Sequence, residues 1–277
     1  VEVSARRNGV SLPQSPLRSA VRTVGVSASR GDYGSSFNIA LPQAWLSGTV
    51  QLTFVVDPDN RIGELSEANN QTTQSVSFVS VPQLEIVVVP IQYTHLANGH
   101  TYPAPTSDTI SSWIMRTYPI SSLSLSFHTP VAFSGDLRSS SEWERLLDIV
   151  TDVKAIDGGP DSRVYYGLIP IANGADRWFS SGIAGIGWVG WRASIGLDLS
   201  GVDTAGQLAA HEVGHNLGRY HAPCGVGGAG IYPYANGSIG PDVYGLDISR
   251  ARVWSPTLPD LTVDAMSYCR PVWFSDF

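Results

Sequence analysis

The sequence is short of lysine, cysteine, methionine and charge. Lys154 is its one lysine, Cys and Met occur 2 times each in 277 residues, and charged residues make up 15%. A coiled coil, a long-helix protein or a charge-driven disordered segment needs far more charge than this. The net charge is −7 and no Lys/Arg cluster occurs, which argues against nucleic acid or an anionic membrane surface as a partner. No run approaches the ~18 apolar residues of a membrane span. Gly-x-Ser-x-Gly and phosphate-loop signatures are missing too, which removes serine hydrolases and nucleotide enzymes. The first residue is Val and no charged-then-apolar leader follows, so the chain reads as a processed or cut product whose signal segment is already gone.

What is present points to strands and turns. Apolar residues reach 43%, aromatics 10%, and there are 28 Gly and 18 Pro. That is enough apolar side chain for a core, in one large domain or two smaller ones. The expected division is 1–80 and 81–277. In the first part Ser35–Leu41, Thr49–Val56 and Gln74–Val79 alternate like strands of a small all-β sandwich. Asp57-Pro58-Asp59-Asn60 between them is strong turn chemistry. This stretch, through Asn69-Asn70, resembles the hairpin of CARDB-type adhesion modules. That resemblance leaves open a contact with cell surface or glycan. A calcium site from Asp57, Asp59 and Glu64 is conceivable, but a solvated turn explains the same residues.

From residue 81 the pattern is mixed α+β. Leu84–Val89, ending at Pro90, and Val164–Pro170 read as buried strands. Ser122–Phe127 alternates, and Gly182–Val189 reads as a Gly-rich strand. Ser107–Tyr118 and Ser140–Ile156 have helical spacing. His95, His100 and His128 are scattered and read as structural or surface residues; Asp242 and Asp247 could bind calcium but read as surface carboxylates.

The decisive stretch is His211-Glu212-Val213-Gly214-His215-Asn216-Leu217-Gly218-Arg219-Tyr220-His221. Asp203 or Thr204 can cap a helix through these residues. His211 and His215, four apart, then project from one helix face toward one metal ion. Gly218 suits a left-handed helix end, after which the chain can return His221 as a third ligand. Three imidazoles leave a coordination position for water, the mark of a catalytic zinc site. Glu212 is not needed to hold zinc; its expected role is to take a proton from the zinc-bound water and pass it to the leaving amine.

This motif resembles that of the metzincin clan of zinc endopeptidases. The resemblance implies a zincin catalytic domain with a twisted mixed sheet and an active-site helix. It makes Met266, in Asp264-Ala265-Met266-Ser267-Tyr268, the floor beneath the metal, and Tyr268 a residue that stabilises the tetrahedral intermediate. It also implies that Ser181–Trp188, with Gly185, Ile186, Gly187 and Trp188 at its centre, is an edge strand that pairs with extended substrate. Trp188 and Trp191 are open to a subsite or a core role. Within the clan the pattern is most similar to the StcE-like, M66-type group. Cys224 and Cys269 would converge below the metal, and the resemblance implies a disulfide between them; free thiols and sulfur ligation are the alternatives. The closing helix of the clan would begin at 273–277, where the chain stops, which implies a truncated chain. The resulting expectation is a secreted, monomeric endopeptidase acting on proteins or glycoproteins. The rival is an adhesion or glycan-binding protein with a structural or vestigial zinc site.

Overall fold

The computed structural model describes residues 1–171, 182–201 and 203–277, which fall into two units, Val1–Val81 and Pro82–Phe277. In the first unit, β1 (Glu2–Arg7) pairs along one edge with β2 (Val10–Ser11) and β3 (Leu17–Arg18). Its other edge pairs with β4 (Gly48–Val55), which pairs in turn with β5 (Gln71–Phe78), all antiparallel. Val3, Ala5, Val50 and Leu52 face one core. The layer covering them differs from the expected second sheet. Trp45 closes the core from a 3-10 turn, its indole N–H donating to the Pro13 carbonyl at 2.7 Å, with Ile39 and Leu41 beside it. Ser35–Leu41 is therefore not a strand: its alternation reports one buried face, but no neighbour ladders with its backbone. In the predicted turn, the Asp57 carboxylate accepts from the Ile62 N–H and Asp59 pairs with Arg18.

The second unit is a mixed sheet with helices on both faces. β6 (Leu84–His95) runs parallel to β8 (Leu123–Phe127) and β9 (Val131–Gly135) along one edge. On its other edge lie β7 (His100–Tyr102), antiparallel, and β10 (Val164–Ile169), parallel. Beyond β10 come β12 (Ala193–Leu197), parallel, and β11 (Gly185–Gly187), antiparallel at the sheet's edge. The apolar run of β6 serves two cores, because successive side chains point to opposite faces. Ile86 and Val88 pack with α1 (Ser111–Thr117) and α3 (Thr204–Asn216), whereas Val87 and Val89 pack with α2 (Ser140–Asp157). β6 does not stop at Pro90 as expected. The missing N–H falls in the gap between the β8 register, ending at Val88↔Phe127, and the β9 register, beginning at Ile91↔Val131.

After α3 the chain has little regular structure. β13 (Gly245–Asp247) pairs with β14 (Arg252–Trp254), and β15 (Val263–Asp264) runs parallel to β16 (Val272–Trp273). Trp273, expected at the start of a helix, lies in β16 and packs against Trp113 and Trp254. Asp247 is not a surface carboxylate: it is fully buried, with Arg116 bonded to it. His95 is buried too, its Nδ1 bonded to the Tyr93 hydroxyl at 2.9 Å. No helix among the described residues is long and apolar enough to cross a membrane.

Candidate metal centre

The site is carried by α3, which crosses the sheet over β12. The β12 side chains facing it are small, Ser194 and Gly196; a Cβ on Gly196 would strike the Tyr166 hydroxyl and lie 3.3 Å from Leu208. Asp203 takes the N-cap position with a left-handed backbone (φ 67°) but no capping bond from its side chain. Its carboxylate goes instead to Arg116 at 2.9 Å and Arg250 at 2.5 Å. Two guanidinium partners outcompete a neutral cap bond. At the other end, the Gly218 N–H donates to the His215 carbonyl and the Arg219 N–H to the Gly214 carbonyl. With Gly218 at φ 98°, this is a Schellman ending, and it turns the chain back toward the helix.

That return brings three imidazoles together. The ligand atoms of His211, His215 and His221 lie within 4.8 Å of one another, and Nε2 of His215 is 3.1 Å from Nε2 of His221. Ligands held at about 2.0–2.1 Å around a tetrahedral zinc ion stand about 3.3 Å apart, so this pair already fits. Nδ1 of His211 donates to the Ala265 carbonyl and Nδ1 of His215 to the Arg219 carbonyl, both at 2.8 Å. A carbonyl can only accept, so in both rings the proton sits on Nδ1 and the Nε2 lone pair is free for a metal. Burial holds all three imidazoles below their ordinary pKa, His211 at about 3, which keeps them neutral. These donors fit a divalent metal of the zinc type.

Both carbonyl acceptors hang on one carboxylate. Asp264 is fully buried; it accepts from the Met266 N–H at 2.7 Å and the Ser275 N–H at 2.8 Å. Arg219 donates to it at 2.8 Å. Asp264 thus anchors Ala265 on one side and Arg219 on the other, the two residues whose carbonyls orient His211 and His215. Sequence reasoning missed Asp264 and Arg219, because nothing in a linear pattern marks the pairing of residues 45 apart.

The other predicted residues lie as follows. Met266 is fully buried beneath α3; a Cβ on Gly214 would come within 2.5 Å of its sulfur. The Tyr268 ring is 5.2 Å from that of His221 and 5.7 Å from that of His211. The Sγ atoms of Cys224 and Cys269 are at bonding distance, with Cα atoms 5.6 Å apart. Ala222 and Tyr268 also donate backbone bonds between the His221 loop and the Met266 turn. β11 pairs through Gly185↔Gly196, Ile186↔Ile195 and Gly187↔Ser194; no strand among the described residues covers its outer edge. Ser181 lies outside the described residues. Trp188 and Trp191 are exposed, and neither lines the hollow beside His211.

That hollow is a cleft of about 360 Å³ bounded by Gly182–Gly185, α3 and residues 265–270. Glu212 lies in it, buried against β11: a Cβ on Gly185 would come within 2.6 Å of its Oε1. The glycines therefore let the edge strand pass directly over the carboxyl. Burial pushes the Glu212 carboxyl up to about 8. The same burial, with the field of Glu212, raises the Tyr268 phenol.

A three-histidine cluster beside a buried carboxyl, in a cleft with an open sheet edge, has the composition of a metallopeptidase site. The chain belongs to the Peptidase M66 family, which matches residues 32–271. Among curated proteins none matches the chain.

Proposed function

We propose that the chain is a zinc-dependent endopeptidase of metzincin type, near the StcE-like group, that acts outside the cell on internal peptide bonds of proteins or glycoproteins. The observation that carries this reading is the convergence of three Nδ1-protonated or half-buried imidazoles on one point beside Glu212. His211, His215 and His221 hold the metal through Nε2. When bound, zinc supplies a Lewis acid and lowers the pKa of a coordinated water to about 7.

The chain's own residues do the rest. The open edge of β11 holds an extended substrate by main-chain hydrogen bonds, with Gly185, Ile186 and Gly187 as its rungs and Trp188 at its end. Glu212 takes the proton of the attacking water and returns it to the leaving amine. A carboxyl whose proton affinity burial has raised is suited to both halves of that transfer. Tyr268 donates its phenolic proton toward the oxyanion as it forms. Met266 packs below the imidazoles, and the Cys224–Cys269 bond ties the third-ligand loop to it.

The test compares wild type and Glu212→Gln on a proteome-derived peptide library and on folded glycoproteins, reading new termini by mass spectrometry. Cuts that need both zinc and Glu212 are expected, with turnover in the variant down by about 10²–10⁴ at unchanged zinc content. Intact substrates in both sets, with one zinc bound per chain, would end the catalytic reading.

A further inference from the structure

We propose that Arg270 makes the cleft selective for a substrate that carries a carboxylate next to the scissile bond. This rests on the endopeptidase reading and names the substrate class of the same cleft. Arg270 is the one Arg or Lys among the described lining residues, which also include the apolar Ile183, Ala184 and Leu208, the neutral Gln207 and Ser267, and His211, Glu212 and Tyr268 of the site itself. In this unit Arg116, Arg138, Arg145, Arg163, Arg219 and Arg250 each pair with a carboxylate. Arg270 makes no hydrogen bond or ion pair with any described residue. Arg270 is exposed on the wall of the cleft, and no carboxylate among the described residues pairs with it. A guanidinium so placed gains most from an anion, which it can grip through two parallel N–H bonds.

The backbone that presents it is held on both sides. Cys269 precedes it, at bonding distance from Cys224, and the Tyr268 N–H donates to the Cys224 carbonyl at 2.9 Å. Pro271 follows, its carbonyl accepting from the Val263 N–H at 3.0 Å. The backbone that carries the cation is therefore fixed before any substrate arrives, so binding has to order only the Arg270 side chain. Arg270 lines the same cleft as His211 and Glu212, so a group that it grips shares that cleft with them. The carboxylate has two sources, an Asp or Glu side chain or an acidic sugar on a glycoprotein.

The experiment uses peptide pairs that differ only by Glu or Gln at each position flanking the cut, and glycopeptide pairs with and without a terminal acidic sugar. Wild type is expected to favour the acidic member of one pair by roughly 5–10-fold in kcat/KM, the range for a charge-assisted bond partly screened by solvent. Arg270→Lys should keep part of that ratio, Arg270→Gln bring it near one, and Arg270→Glu reverse it toward a Lys-bearing peptide. Cleavage with the same ratio in wild type and Arg270→Gln, or with no acidic preference, overturns the inference and leaves the endopeptidase standing. Binding of the same peptides to the Glu212→Ala protein, by fluorescence anisotropy, reads the site without turnover. Acid-selective binding that Arg270→Gln abolishes, with no cleavage by any form, would keep the carboxylate site and remove the endopeptidase. Absence of acid-selective binding overturns the inference whatever the turnover.

Discussion

Tyr268 stands half in water, with its ring edge-on to His221, and it has no structural bond through its hydroxyl among the described residues. Removing that hydroxyl should therefore leave packing alone and act on rate. Tyr268→Phe is expected to lower kcat by about 10²-fold, the usual effect of losing one oxyanion donor, with KM and zinc content little changed. An unchanged kcat would leave the phenol without a role in the reaction. Asp264 is the opposite kind of residue, buried and remote from any substrate. Asp264→Asn keeps its shape but loses the ion pair with Arg219, so the carbonyls that hold His211 and His215 lose their common anchor. Zinc affinity, measured by chelator competition, should fall roughly 10–100-fold. The aspartate is a positioning residue, so the fall should exceed any parallel change in melting temperature. The three-histidine cluster was legible because helix geometry alone relates His211 to His215 and Gly218 to the turn that follows. Asp264 was not, since its meaning lies in partners on two separate loops.

At the scale of elements, pattern identified most of the types and misjudged several ends. α2, β8 and β10 came out close to their expected ranges, because each has one dominant period of apolar residues. Pro90 stopped the expected strand but not the real one, since a proline is tolerated where two edge partners change over. Ser35–Leu41 alternates and still is no strand, because burial of one face is only half of what a ladder needs. The Asp203 cap failed for a related reason: Arg116 and Arg250 compete for the carboxylate from distant elements. The same network tests how α1 and β13 are joined. Asp247 is fully buried, and Arg116 spans it and Asp203. Burial opposes the charged form of Asp247, yet the bonds from Arg116 and Ser249 outweigh it and hold the carboxyl below its ordinary range. A depressed carboxylate pKa gives stability that is present above about pH 4 and lost as pH falls through the folded value. Asp247→Ala should cost about 1–3 kcal/mol at pH 7, since Arg116 loses its fully buried partner but keeps Asp203. The gap from wild type should narrow as pH falls below about 4 in denaturant titrations. A pH-independent gap would mean that lost packing, not the ion pair, sets the cost.

At the scale of the whole molecule, two clamps act on the His221 loop. The disulfide would join the His221 loop to the Met266 turn across 45 residues. A metal held by His211, His215 and His221 would join that loop to α3, while His211 also leans on Ala265 in the turn. Each clamp reduces the freedom that the other must remove, so the two are coupled free energies, and coupling is reciprocal. Loop-closure entropy puts the disulfide at about 4 kcal/mol when metal is absent, with about 2–4 kcal/mol usual for measured bonds. Part of that stabilisation should appear as metal affinity instead. Replacing both cysteines by serine is therefore expected to weaken zinc binding by about tenfold, a coupling of about 1.4 kcal/mol. By the same cycle it should lower the melting temperature of the zinc-loaded protein by more than that of the metal-free protein, because the loaded form also loses the coupling. Competition titrations with a chelator, on the paired-serine variant and wild type without reductant, read the first effect; melts with and without zinc read the second. Independent clamps would give equal zinc affinities and equal melting shifts. That result would mean that the backbone bonds from Ala222 and Tyr268 already fix the loop without the sulfur bridge.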